Sequence, residues 1–213
     1  MSLTTAERTV DFILQSPSSS ICIEFQGGEP LANFGALQHI VAYAKERKRD
    51  KQVEFTVVTN LSMMDEKKLA FLLENDVMIC TSLDGPEEIH NRSRVLIDSN
   101  SYQNVVEWAQ VIHDRNESRE RAGRRFSRLN ALMTVTKTAL NQPKRVVDTY
   151  VANRFHSIFL RPLSPFGYGT SASPANAYSA EEFLDFYRRA LDYIIELNRR
   201  GTLFFERTAR VFL

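Results

Sequence analysis

Short, almost wholly apolar runs alternate along this chain with longer stretches in which apolar residues recur every three or four positions. The runs Ile21-Cys22-Ile23-Glu24-Phe25, Val53 to Val58, Val77 to Ser82, Asn130 to Val135 and Ile158-Phe159-Leu160 are bounded by glycine, proline or polar residues, which predicts strands. Helices are predicted between them. The first runs from Thr5 with Ala6, Val10, Ile13 and Leu14 at helical spacing, Thr4 or Thr5 as its N-cap, and Pro17 to end it. Further helices are predicted over Phe34–Arg49, Asp65–Glu74, Tyr102 to about Arg119, and Pro143–Ala152. Ser179 opens a long helix to about Arg200, with Glu182 completing a capping box.

Strands apolar on both faces, each followed by an amphipathic helix, imply a parallel sheet covered by helices. The predicted fold is α/β: a partial (β/α) TIM-like barrel of about five strands. A complete barrel typically needs about 250 residues, and the chain has 213. Its opening helix has no strand before it, so the first strand is expected to be missing. In such folds ligands bind beyond the C-terminal ends of the strands. Those ends are Gly27 to Pro30, Thr59-Asn60, Ser82 to Pro86, Thr136-Lys137, and Arg161 to Gly169; the segment Gly167–Asn176 is a lid candidate.

Composition narrows the chemistry. The net charge is +1, from 27 basic and 26 acidic side chains, which gives no reason to expect nucleic acid or a membrane as partner. No basic leader or long apolar run is visible, so the expected compartment is the cytoplasm. The two cysteines, Cys22 and Cys80, indicate neither a disulfide scaffold nor a zinc site, and both are read as buried apolar residues. Two are also too few for an iron–sulfur cluster, which normally needs three or four thiolates. Six arginines between Arg115 and Arg128 are interleaved with Glu117 and Glu120 and read as a solvated helix end and loop. His113 is read as solvated.

Gly27-Gly28-Glu29-Pro30 admits two readings. Glycines at a strand end let the backbone approach a ligand, the carboxylate of Glu29 suits a cation such as an α-amino group, and Pro30 fixes the exit. A plain strand–helix turn is the other. Asp84, in Leu-Asp-Gly-Pro, is equally open to a turn role and a ligand contact.

Three segments together carry a resemblance. FQGGEPL after the first strand, TVVTN ending the second and CTSLDGPEEIHNRSR after the third resemble, in order, the signatures of radical S-adenosylmethionine (SAM) enzymes. The branch resembled is the peptide-modifying SPASM/twitch group, which contains anaerobic sulfatase-maturating enzymes and maturases of the His-Xaa-Ser system. The likeness spans about Ile21 to Gly169. It implies that Gly27, Gly28 and Glu29, with Pro30 closing the motif, hold the amino group of SAM. It implies too that Ser82 and Arg94 bind the carboxylate, that Asn60 lines the pocket, and that the strand around Leu160 packs on the adenine. No catalytic residue is assigned.

By the same resemblance, the full-length protein is an oxidoreductase that uses SAM and a 4Fe-4S cluster. It would cleave SAM reductively to a 5′-deoxyadenosyl radical and modify a peptide or protein substrate, drawing on an electron donor. The chain departs from the pattern in lacking the CxxxCxxC that binds the cluster. The expectation is therefore an internal fragment without the cluster and inactive by itself. Residues 1–178 would form the core, and 179–213 a helix leading toward an absent auxiliary-cluster extension. Two other readings stand beside it: a non-redox (β/α)-barrel lyase or sugar-processing enzyme using Glu29 and Asp84 as acid and base, and an interaction module built on the arginine run.

Overall fold

The computed structural model describes residues 1–97, 99–126, 128–164 and 177–212. The predicted lid, Gly167–Asn176, lies outside them. Six strands follow one another in sequence order through the sheet, with β1–β2, β4–β5 and β5–β6 parallel. The chain divides into two compact units, Met1–Cys80 with Ile112–Leu129, and Thr81–Val111 with Asn130–Leu213.

The first unit opens with α1 (Leu3–Leu14), whose N-cap is Ser2 rather than Thr4 or Thr5: its hydroxyl accepts from the Thr5 N–H at 3.2 Å. Ala6 and Val10 form the buried face of α1. Strand β1 (Ser20–Phe25) pairs with β2 (Gln52–Thr59), matching Ile23 with Phe55. Between them come a 3-10 turn at Pro30–Asn33 and α2 (Phe34–Arg47), which buries Leu37, Val41 and Ala44. α1 meets α2 through His39 on Glu7 at 2.9 Å and Tyr43 on Asp11 at 3.2 Å. Helix α3 (Glu66–Glu74) is capped by Asp65, and most of β3 (Val77–Ser82) follows.

The arginine run closes this unit at the end of α5 (Ser101–Arg121). Arg115 pairs with Glu66, Arg119 with Asp76, Arg121 with Glu117 and Arg125 with Glu54, at 3.0 to 3.3 Å. Carboxylates thus neutralise most of the run, which removes the charge surplus an anion-binding module needs. His113, expected in solvent, is buried.

The second unit contains α4 (Glu87–Ser93), the start of α5, β4 (Asn130–Thr134), α6 (Pro143–Ala152) and β5 (Ser157–Arg161). Next come α7 (Ala180–Arg199), β6 (Phe205–Glu206) and α8 (Arg207–Val211). The capping box on α7 is formed, with Ser179 and Glu182 each accepting from the other's backbone N–H. The expected count of about five strands rises to six. The sixth is two residues long, too short for any periodicity to mark it.

Both cysteines were expected inside. Cys80 is, but Cys22 is exposed, its Sγ 3.6 Å from the Thr56 hydroxyl. Ile21 and Ile23 take the buried face of β1, and strict alternation turns Cys22 to the other.

Candidate functional site

Two sets of strand-end groups stand out, one in each unit. In the first, β1 ends at Phe25 and the backbone turns through Gly27 at φ +121°, a conformation open to glycine and strained for other residues. Gly28 has no such backbone reason to be glycine, and a Cβ there would meet nothing within 4 Å. Its missing side chain leaves open space in front of the turn.

Glu29 follows and serves as N-cap of the 3-10 turn, with Pro30 as the turn's first residue. Its Oε1 accepts from the Leu31 N–H at 3.0 Å and from the Thr59 hydroxyl at 2.7 Å. Oε2 accepts from the Asn60 N–H at 2.9 Å. All three donors are neutral, and Glu29 makes no ion pair among the described residues. A carboxylate offers about four acceptor positions, so one remains for a cation. Asn60, expected to line the pocket, acts through its backbone N–H. Its side chain turns back to accept from the Ser62 N–H at 2.8 Å. Thr59, read from sequence only as a strand-end residue, is buried and does more: it fixes Glu29 and accepts from the Leu61 N–H at 3.0 Å.

In the second unit the chain leaving β3 is pinned by Leu83, which donates to Leu132 O at 3.0 Å and accepts from the Tyr150 hydroxyl. Gly85 then turns at φ +107°, where a Cβ would press to 3.1 Å from Val146 Cγ2. Ser82 is 7 % exposed, and its hydroxyl has no partner among the described residues. Asp84 is 1 % exposed, and neither of its two readings describes it fully. Its Oδ2 accepts from Arg94 Nε at 2.7 Å, and its Oδ1 from Arg94 Nη2 at 3.3 Å and from the Thr134 N–H at 2.9 Å. It is a buried cross-brace from β3 to β4 that also aims Arg94. The Arg94 side chain, 28 % exposed, keeps donors beyond the two that Asp84 takes.

His90, on α4, completes this set. The Asp84 N–H donates to its Nδ1 at 3.1 Å, so the proton sits on Nε2, which meets the Ser101 hydroxyl at 3.1 Å. Burial chiefly, opposed by Asp84 and aided by Arg94, lowers its pKa to about 4 from 6.5. The folded chain therefore resists protonation that the unfolded chain accepts. His90 costs nothing above pH ~6.5 and withdraws about 1.4 kcal/mol per pH unit below it, until the folded group itself titrates. Between pH 7 and 4.5, urea unfolding should show the native chain losing about 2–3 kcal/mol more than His90→Gln. Equal losses would show that His90 is not held neutral.

Leu160 on β5 is 3 % exposed, while Phe159 and Arg161 beside it are half-buried. Its N–H donates to Glu206 Oε1 at 3.2 Å.

The cysteines do not fit a cluster. There are two of them, one exposed and one buried, and no group of three or more Cys, His, Asp or Glu among the described residues could hold a metal ion. In the first unit, the Glu29 carboxylate, without a cation among the described residues and with open space at Gly28, suits an α-ammonium group such as that of SAM.

Residues 2–106 match the family described as a 4Fe-4S single cluster domain. The chain is 24 % identical over 110 residues to the radical SAM cyclopropyl synthase TigE of Paramaledivibacter caminithermalis, covering 52 % of this chain and 23 % of that protein. It is 31 % identical over 90 residues to a cysteine-type anaerobic sulfatase-maturating enzyme of Clostridium perfringens, covering 41 % of this chain and 24 % of the enzyme. Among solved structures, native anSMEcpe with bound AdoMet and Cp18Cys peptide superposes with a TM-score of 0.81 at 21 % identity, over 96 % of this chain and 55 % of that one. At that identity the likeness carries the fold. The chain thus spans about a quarter of these curated relatives and about half of the solved chain.

Proposed function

We propose that this chain, whose relatives and fold support a radical SAM core of the SPASM/twitch type, holds SAM for a larger peptide-modifying maturase. The observation that carries the reading is the Glu29 carboxylate, fixed by three neutral donors and without a cation. In this reading Glu29 receives the α-ammonium of SAM, and the Gly27-Gly28 turn gives it room. Thr59, Leu31 and the Asn60 backbone hold the carboxylate in place beforehand, so binding costs little reorganisation. Ser82 and the free donors of Arg94 receive the SAM carboxylate, with Asp84 fixing the guanidinium. Leu160, being buried, contributes to the wall behind the adenine rather than to its face.

When bound, SAM supplies the radical chemistry by which such maturases modify peptides. The cluster would belong to another part of the longer protein, and the electron donor would be a separate partner. Residues 1–178 would be the SAM-holding core, and 179–213 would lead toward an auxiliary extension. The lyase reading loses its second acid/base, because Asp84 is buried and bound to Arg94.

Titration calorimetry with SAM tests this on the chain as it stands. Glu29→Gln keeps the shape but removes the charge. It is expected to weaken binding by about tenfold or more, the worth of a hydrogen bond to a charged group. With dithionite present, the chain alone should release no 5′-deoxyadenosine. Equal affinity in both proteins, or cleavage by the chain alone, would overturn the assignment.

A further inference from the structure

Three arginines in the second unit gather on two aromatic rings. Arg161, at the end of β5, lies 5.7 Å from the Phe159 ring centroid, and Arg207, at the start of α8, lies 5.5 Å from the same centroid. Arg210 lies 4.5 Å from the Phe205 centroid. Ring faces attract guanidinium groups at this range. They do not cancel charge, however, and two of the three cations share one ring.

Among the described residues no carboxylate offsets them. Other arginines of this unit have acids: Arg94 pairs with Asp84, Arg145 with Glu88 and Arg189 with Asp185. Arg161, Arg207 and Arg210 make no ion pair and no side-chain hydrogen bond among the described residues. Glu206, next in sequence to Arg207, is 1 % exposed and spends both oxygens on the Leu160 N–H, the Tyr187 hydroxyl and the Ala209 N–H.

Arg161 and Arg210 also line a groove of ≈ 1170 Å³ whose walls are mostly apolar. Leu184 and Ile195 of α7 and Phe212 after α8 stand 56 %, 48 % and 82 % exposed along it. An apolar trough edged by unpaired cations sets two demands on an occupant at once. It must bring apolar side chains for the trough and negative charge for the edge.

We propose that this face docks a polypeptide segment in which carboxylate side chains are interspersed with aromatic or aliphatic ones. The acids would meet Arg161, Arg207 and Arg210, and the apolar side chains would fill the groove. A second copy presenting the same face would set arginine against arginine. A nucleic acid would satisfy the cations but leave the trough unfilled. The arginines that carry this proposal take no part in the SAM reading, although the groove they edge includes Leu160.

Fluorescence anisotropy tests it with a short labelled peptide of repeating Glu-Phe-Gly-Leu units and a control in which each Glu is Lys. The Glu peptide is expected to bind the chain, more tightly at low salt, and the Lys peptide not to. The triple variant Arg161→Gln/Arg207→Gln/Arg210→Gln should weaken binding by about tenfold or more, from two exposed charges and one half-buried one. Its thermal midpoint and its SAM affinity should match the native chain's. Should the triple variant not fold, Arg207→Gln/Arg210→Gln, confined to exposed positions, carries the test. Equal binding of both peptides, unchanged affinity in the variants, preference for a labelled oligouridylate, or self-association through this face in sedimentation would each overturn it.

Discussion

Asp84→Ala is expected to destabilise the second unit by about 3 kcal/mol. The side chain is almost wholly buried, and it accepts from both the Arg94 guanidinium and the Thr134 N–H. Its loss leaves the Thr134 donor on β4 without its acceptor, which costs about 1–3 kcal/mol. It also leaves Arg94 without its counter-charge. Removing one partner of a buried pair costs about 3–5 kcal/mol, and Arg94's partial exposure moves the sum toward the lower end. Asp84→Asn keeps an oxygen for Thr134 and should cost about half as much. A double-mutant cycle with Arg94→Gln isolates the pair in urea unfolding, and a coupling above about 1 kcal/mol is expected. If the two substitutions add within about 0.5 kcal/mol, Asp84 is not what aims Arg94.

That brace also explains why sequence left Asp84 undecided. Its partners lie ten and fifty residues away, and neither falls at a spacing that any local pattern marks. The turn at Gly27 to Pro30 was legible because a strand end and a tight turn are local, whereas the capping role of Glu29 was not read from sequence. What Glu29 holds on to was not, since Thr59 reaches it from thirty residues on. Cys22 is a different case. Alternation puts Cys22 on the same face as the charged Glu24, opposite Ile21 and Ile23, and that local signal outweighs the general tendency of free cysteine to be buried.

Length set the other boundary. Helices with two or more apolar turns, such as α6 and α7, were read to within a residue or so of their bounds. The seven residues of α4 and the two of β6 hold too few apolar positions to show a period. Yet these short elements carry His90 and Glu206, the groups that fix the loop after β3 and the edge at β5. In both cases the ordering comes from a buried polar side chain rather than from hydrophobic pattern, and that is why pattern alone missed it.

Glu206 bears the second large expected effect. Its carboxylate is 1 % exposed and has no cation among the described residues, yet it joins three elements. Oε1 takes the Leu160 N–H of β5 at 3.2 Å; Oε2 takes the Tyr187 hydroxyl of α7 at 2.6 Å and the Ala209 N–H of α8 at 2.8 Å. Burial, and the carboxylate beside it, hold the Tyr187 phenol above its ordinary pKa, so it remains a donor. Glu206→Ala would strand all three donors and remove the N-cap of α8, at a cost of about 3–5 kcal/mol. Glu206→Gln keeps the volume and one acceptor but turns an amide N–H₂ toward a donor, for about 1–3 kcal/mol. Tyr187→Phe removes one donor and should cost less than either. Urea midpoints would rank the three variants in that order, with amide exchange at Leu160 and Ala209 accelerated most in Glu206→Ala. Were Glu206→Ala to cost less than about 1 kcal/mol, or to leave amide exchange at Leu160 and Ala209 unchanged, the three-way bridge would have to be abandoned as the source of order at this edge.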